Sequence, residues 1–94
     1  MQNPPEEIDG AAVLEWAYAS DKPFGVVHAN NEIDAIEIVA LAICRYPNDS
    51  KIYRFSCDAT WETVQDFCYS SIAEAKTALP EQYQNIEIHW KKYD

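Results

Sequence analysis

Ile36-Glu37-Ile38-Val39-Ala40-Leu41-Ala42-Ile43-Cys44-Arg45-Tyr46, then Pro47-Asn48-Asp49-Ser50, then Lys51-Ile52-Tyr53-Arg54-Phe55-Ser56-Cys57-Asp58, is the stretch whose reading decides the fold. The first block is rich in β-branched residues and the last alternates apolar with polar, both of which suit strands. The four residues between them favour a tight turn: Pro47 fixes its φ, and Asn48, Asp49 and Ser50 hydrogen-bond their own backbone. The prediction is an antiparallel hairpin pairing Tyr46 with Lys51, Cys44 with Tyr53, Ala42 with Phe55 and Ala40 with Cys57. One face then carries Ala40, Ala42, Cys44, Tyr53, Phe55 and Cys57, small residues opposite aromatics, and is expected to lie under a helix. The other face, with Leu41, Ile43, Arg45, Ile52, Arg54 and Ser56, is mixed. A rival helix over residues 32–46 rests on Ile33, Ile36, Ala40 and Cys44 recurring at helical spacing; β-branching and the turn favour the strand.

Downstream, a corner at Asp58-Ala59-Thr60 leads to a third strand over 61–67, with Arg54 beside Val64 and with Glu62 and Asp66 diagonal to it. Ser71-Ile72-Ala73-Glu74 has capping-box spacing, so a helix is predicted over 71–80, ended by Pro80, with Ile72, Ala75 and Leu79 as its apolar stripe. Residues 85–91 alternate, Ile86, Ile88 and Trp90 against Glu87, His89 and Lys91, as in a half-buried strand. Upstream, residues 12–19 suit a helix on the propensity of Ala, Leu and Glu, and also alternate as a strand with Leu14, Trp16 and Tyr18 on one face; the strand is the reading taken. They are expected to form a second hairpin with residues 24–29 through Asp21-Lys22-Pro23. Residues 1–9 are expected to be a disordered acidic leader, and 10–94 a single domain. The fold class expected is α+β: a mainly antiparallel sheet of four to six strands in hairpins, with the one principal helix packed on a face.

Composition then narrows function. The chain has 94 residues, sixteen acidic and seven basic, for a net charge of −9. Residues 1–50 hold nine of the acids against two bases. Phosphate recognition needs a basic stripe that this chain lacks, so no nucleic-acid partner is expected. The longest uncharged apolar run, residues 38–44, is too short to span a bilayer, and no membrane partner is expected. Two glycines leave no material for a phosphate-cradling loop. Three cysteines, Cys44, Cys57 and Cys68, form no C-x-x-C pair and read as buried thiols of a cytoplasmic protein.

No cofactor or metal is expected. His28 and His89 are far apart and have no ligand-spaced neighbours among Glu32, Asp34 and Glu87. Asn30-Asn31-Glu32-Ile33-Asp34 with Glu37 lacks the central glycine and register of a calcium loop. Neither Cys57 nor Cys68 has a local base, so no catalytic residue is assigned and the chain is expected not to be an enzyme. What is in surplus is aromatic: three Trp, six Tyr and three Phe. Aromatic anchors with surrounding acids suit a basic protein partner, the logic of small acidic inhibitors and immunity-type proteins. The residues expected to bind it are Trp16, Tyr18, Glu32, Asp34, Glu37, Tyr46, Trp61, Glu62 and Asp66. Two alternatives stand beside this one. The first is a small enzyme or ligand-binding protein whose site lies at a subunit boundary and uses Cys57, Cys68, His28 or His89. The second is a self-associating protein whose homodimer pairs an edge strand, placed at residues 86–90.

Overall fold

A computed structural model describes residues 3–29, 34–84 and 86–93. With 46% strand against 11% helix it is mostly antiparallel β rather than evenly α+β, and the sheet is curled. The strands are β1 (Glu7–Ile8), β2 (Ala11–Tyr18), β3 (Gly25–Ala29), β4 (Asp34–Ile38), β5 (Ala40–Arg45), β6 (Ile52–Cys57), β7 (Thr63–Tyr69) and β8 (Lys91–Lys92). The helix α1 (Ile72–Thr77) follows β7, and a 3-10 turn occupies Glu81–Tyr83. The main sheet runs β1-β2-β5-β6-β7, with β8 also paired to β2, while β3 and β4 form a separate ribbon.

The central hairpin has the register that its turn predicts, with Ala40 opposite Cys57, Ala42 opposite Phe55 and Cys44 opposite Tyr53. Around it, five expectations are corrected. The first strand does not run unbroken from 36 to 46. It kinks at Val39, whose carbonyl accepts from the Ala19 amide (2.8 Å) and whose amide donates to the Cys57 carbonyl (3.1 Å). Nor do β2 and β3 pair with each other. β2 pairs with β5 and β3 with β4, so residues 20–23 are an insertion within one long bent ribbon rather than a hairpin turn.

Third, Leu14, Trp16 and Tyr18 do not share a face. Val13 lies opposite Cys44 and Glu15 opposite Ile43, leaving Leu14 as the extra residue of a β-bulge. Val13, Trp16 and Tyr18 therefore join one face, and Leu14 packs with Ile43 and Ile52 on the other. Fourth, β7 starts two residues later than expected and pairs Phe67, not Val64, with Arg54. The cause is a loop that Asp58 organises: its Oδ1 accepts from the amides of Thr60 (2.8 Å) and Glu62 (3.0 Å) and from the Thr60 hydroxyl (2.8 Å). Fifth, residues 86–90 form no strand and are not a sheet edge; only Lys91–Lys92 enters the ladder, opposite Glu15 and Trp16. The alternation itself persists there, with Ile86, Ile88 and Trp90 packed on the core and Glu87 and His89 exposed. Asn85 lies outside the described residues.

Residues 3–9 are the described part of the expected leader, and they include β1. Asp9 and Gly10 take φ of 51° and 85°, as in the primed two-residue turn that joins twisted strands, and Pro4 and Ile8 are buried. The Ser71 side chain caps α1 by accepting from the Glu74 amide (3.0 Å), and the Glu74 carboxylate reaches back to the Ser70 amide (2.9 Å). The helix is six residues long, shorter than the 71–80 expected. It lies beside the mixed face: Ala75 is fully buried with Ile43 and Ile52. Arg54, also on that face, is 1% exposed and donates from Nη1 to the carbonyls of Ala75 (2.9 Å) and Ala78 (3.1 Å). β3, β4 and the 3-10 turn cover the remainder through Phe24, Ile38 and Tyr83. The face expected beneath the helix is thus the one that the helix leaves alone.

Candidate functional site

The bulge at Leu14 puts Trp16 and Tyr18 over the row of small residues Ala40, Ala42 and Cys44. Small residues beneath large rings give the rings a flat seat. Trp61 reaches the same place from the Asp58 loop, where a φ of 65° and an amide donated to the Asp58 carbonyl (3.2 Å) turn its side chain back over the sheet. Ring centroids lie 4.8 Å apart for Trp16–Tyr18, 5.6 Å for Tyr18–Trp61 and 6.2 Å for Trp16–Trp61. These rings are in mutual contact, so they form a packed cluster and not an open cage for a cation. A second group continues across the sheet, with Tyr46–Tyr53 at 5.2 Å and Tyr53–Phe55 at 6.4 Å. Among the described residues, none of α1, β3, β4 or the 3-10 turn belongs to this cluster.

The two groups differ in what they offer a partner. Trp16 (7% exposed) and Trp61 (6%) are buried, which corrects their expected role as exposed anchors: each is spent on the core. Tyr18, Tyr46 and Tyr53 are half-buried. Burial raises the phenol of Tyr18 against the opposing pull of its hydrogen bond with Trp61. The phenol of Tyr53 is raised by desolvation, with Cys68 adding to it. Both hydroxyls are therefore neutral at physiological pH, and that of Tyr18 donates to Asn3 Oδ1 (3.4 Å).

Acids border this face. Asp66, exposed, is opposite Phe55 and so points to the aromatic side; Glu62, exposed, adjoins Trp61. Asp9 and Asp58 are close enough to act on the thiols beneath the rings. For Asp58, burial works against ionisation, yet the hydrogen bonds from Thr60 and Glu62 outweigh it and hold the carboxyl below its usual range. Several basic residues are withdrawn from solvent or already engaged. Arg54 is buried, Lys76 pairs with the buried Glu15 (2.6 Å), and Lys91 sits 5.1 Å from the Trp16 ring.

Of the residues expected to bind a partner, Trp16, Tyr18, Tyr46, Trp61, Glu62 and Asp66 come together on or around this face. Glu37 does not: it lines an adjoining open groove of about 570 Å³ with Ala59 and Asp58, the last shared with the border of this face. Asp34 enters β4 opposite Ala29, and Glu32 lies outside the described residues. Tyr53, Phe55, Asp9 and Asp58 were not among those expected. The alternation of Tyr53 and Phe55 with Arg54 was the signal for the first two, once the covered face is known.

The cysteine and histidine alternative finds its residues apart. Burial pushes the thiols of Cys44 and Cys57 up to about 12, with Asp9 adding to both. The groups acting on Cys57 are Thr63, Asp58 and Asp9, with no histidine among them. Cys68 is exposed on β7. His28 lines a different cleft with Gln65, Gln82 and Tyr83, and His89 lies exposed, 3.8 Å from Glu87. Among the described residues no group of three or more His, Cys, Asp or Glu is placed to hold a metal, and no helix is long and apolar enough to cross a membrane. No protein-family model, curated protein or solved structure matches the chain.

Proposed function

We propose that this chain is a small cytoplasmic protein-binding module, without enzymatic activity, that recognises a basic protein partner in the manner of an acidic inhibitor or immunity-type protein. The observation that carries the proposal is the convergence of Tyr18, Tyr46 and Tyr53 on a sheet face that the helix does not cover, with Asp9, Asp58, Glu62 and Asp66 around it. Half-buried tyrosines supply rigid contact area at small entropic cost. The acids raise the encounter rate with a cationic surface and orient it. Trp16 and Trp61 pack against Tyr18 and hold its ring in place.

The test compares capture from cell extract by the wild-type chain and by a Glu62→Lys/Asp66→Lys variant, at about 0.1 M and about 1 M salt. The expected result is a defined set of basic proteins held at low salt, released at high salt and missed by the variant. Capture that is insensitive both to salt and to the two lysines overturns the proposal.

A further inference from the structure

The sheet treats its two flanks differently. The outer side of β2 is covered by β1 at Ala11 and Ala12 and by β8 at Glu15 and Trp16. On the opposite flank β7 pairs with β6 alone, and among the described residues no other strand meets it. A bare edge presents a row of free amides and carbonyls, which proteins ordinarily protect with lysine, proline, a bulge or a very short strand. β7 is seven residues long, with neither lysine nor proline. Its one irregularity, the shift between Ser56 and Cys57 that leaves Val64 unpaired, falls near its start and leaves residues 65–69 regular.

The side chains of this edge are equally bare. Gln65, Asp66, Phe67 and Cys68 are exposed in succession, and Phe67, at 42%, is the exposed large hydrophobic of the described residues. The Phe67 ring is braced from within by the Arg54 guanidinium, 5.6 Å from its centroid. Asp66 and Cys68, opposite Phe55 and Tyr53, continue the aromatic face; Phe67 and Tyr69, opposite Arg54 and Ile52, lie on the other.

We infer that an extended segment of the basic partner adds to β7 as a further strand, with lysine or arginine beside Asp66 and apolar residues beside Phe67. This rests on the proposed function above and names the form in which that partner arrives. Backbone pairing supplies affinity, and alternate side chains supply specificity. Charge selects the occupant. A second copy would bring −9 against −9, whereas a basic strand meets the one charged residue of the edge with the opposite sign. Its basic side chains would extend the aromatic face beyond Tyr53, so edge and face form one continuous surface.

The experiment titrates the full chain with a short peptide of alternating lysine and valine, and with a control of equal charge in which proline replaces valine. Amide hydrogen exchange is followed residue by residue. The expected result is that alternate amides within residues 65–69 slow by about tenfold or more with the valine peptide only, and that Asp66→Lys abolishes this while thermal unfolding is unchanged. Equal binding of both peptides, with changes confined to Tyr18, Tyr46, Tyr53 and their neighbours, overturns the edge and leaves the acidic aromatic face standing. Binding of neither peptide overturns the edge as well, and the capture comparison then judges the face separately. Protection of β7 without peptide, rising with protein concentration as the mass doubles, assigns the edge to a second copy and overturns the inference.

Discussion

Replacing Arg54 tests the packing of the helix against the sheet. Its Nη1 holds two carbonyls at the end of α1, and its guanidinium stacks 5.0 Å from the Tyr69 ring and 5.6 Å from that of Phe67. No carboxylate pairs with it among the described residues, and its buried Nε has no hydrogen-bond partner. In Arg54→Ala, two charge-assisted hydrogen bonds of about 1.5–3 kcal/mol each are lost, and a cavity opens beneath Phe67 and Tyr69. Against that, the penalty of several kcal/mol for burying an unpaired cation disappears. The net expectation is a loss of about 3 kcal/mol, a large share of the ~5–15 kcal/mol that holds a domain of this size. Arg54→Met fills the space without charge and is expected to lose less, about 1 kcal/mol. Urea unfolding reads this directly as a fall in the midpoint at constant slope. In thermal unfolding the alanine variant is expected to melt at least about 12 °C lower. An alanine variant within about 1 kcal/mol of wild type, or a methionine variant weaker than alanine, refutes the strut.

The other expectations concern the thiols, the loop and a glycine. A thiol reagent is expected to modify Cys68 alone in the native state, and all three cysteines after unfolding; rapid labelling of Cys44 or Cys57 in the native state contradicts their burial. Because folding raises the pKa of those two thiols to about 12, the unfolded chain loses its protons first. Their contribution is whole below the unfolded value of about 8.5 and lost as pH rises toward 12, at about 1.4 kcal/mol per pH unit for each thiol. Cys44→Ala/Cys57→Ala is expected to flatten that alkaline decline. Asp58 has the opposite sign: its folded pKa is lowered, so its contribution is present above about pH 4 and lost as pH falls through the folded value. Asp58→Ala is expected to lower stability by about 1 kcal/mol at neutral pH, with a smaller difference in acid; an equal difference at both would count against the loop hydrogen bonds. In Gly25→Ala the new Cβ would lie 2.5 Å from Gln82 Oε1, which accepts from the Val26 amide, and 2.9 Å from Tyr83 Cε1. A loss of about 1–3 kcal/mol is expected, against no change if the ribbon swings freely.

The hairpin at the centre was readable because its signals are local. A four-residue turn between a β-branched run and an alternating one determines the register, and each predicted pair from Ala40–Cys57 to Cys44–Tyr53 is present. What was not readable is non-local. Nothing in residues 11–29 says that β2 chooses β5 while β3 chooses β4; that choice depends on the kink at Val39. Arg54 reads as a surface residue because charged side chains ordinarily stay in water. Its burial follows only from a helix end that needs donors. The candidate site divides along the same line. Aromatic surplus and acidity are compositional and visible. Which rings meet the solvent depends on Leu14 and on which face α1 occupies. The Asp9-Gly10 turn, by contrast, carries a local hairpin signature that was open to reading.

Leu14 has a consequence for anyone moving this surface elsewhere. Because it is skipped in the pairing, the residues before and after it obey opposite odd-and-even rules. A graft of Trp16 and Tyr18 onto another scaffold in a regular ladder continuous with Val13 would point both rings at the wrong layer. Removing Leu14 itself would instead leave Val13, Glu15 and Trp16 opposite Cys44, Ile43 and Ala42 as a regular ladder, with both rings kept on their present layer. The aromatic layer survives loss of the supernumerary leucine but not its absorption into an unbroken zigzag.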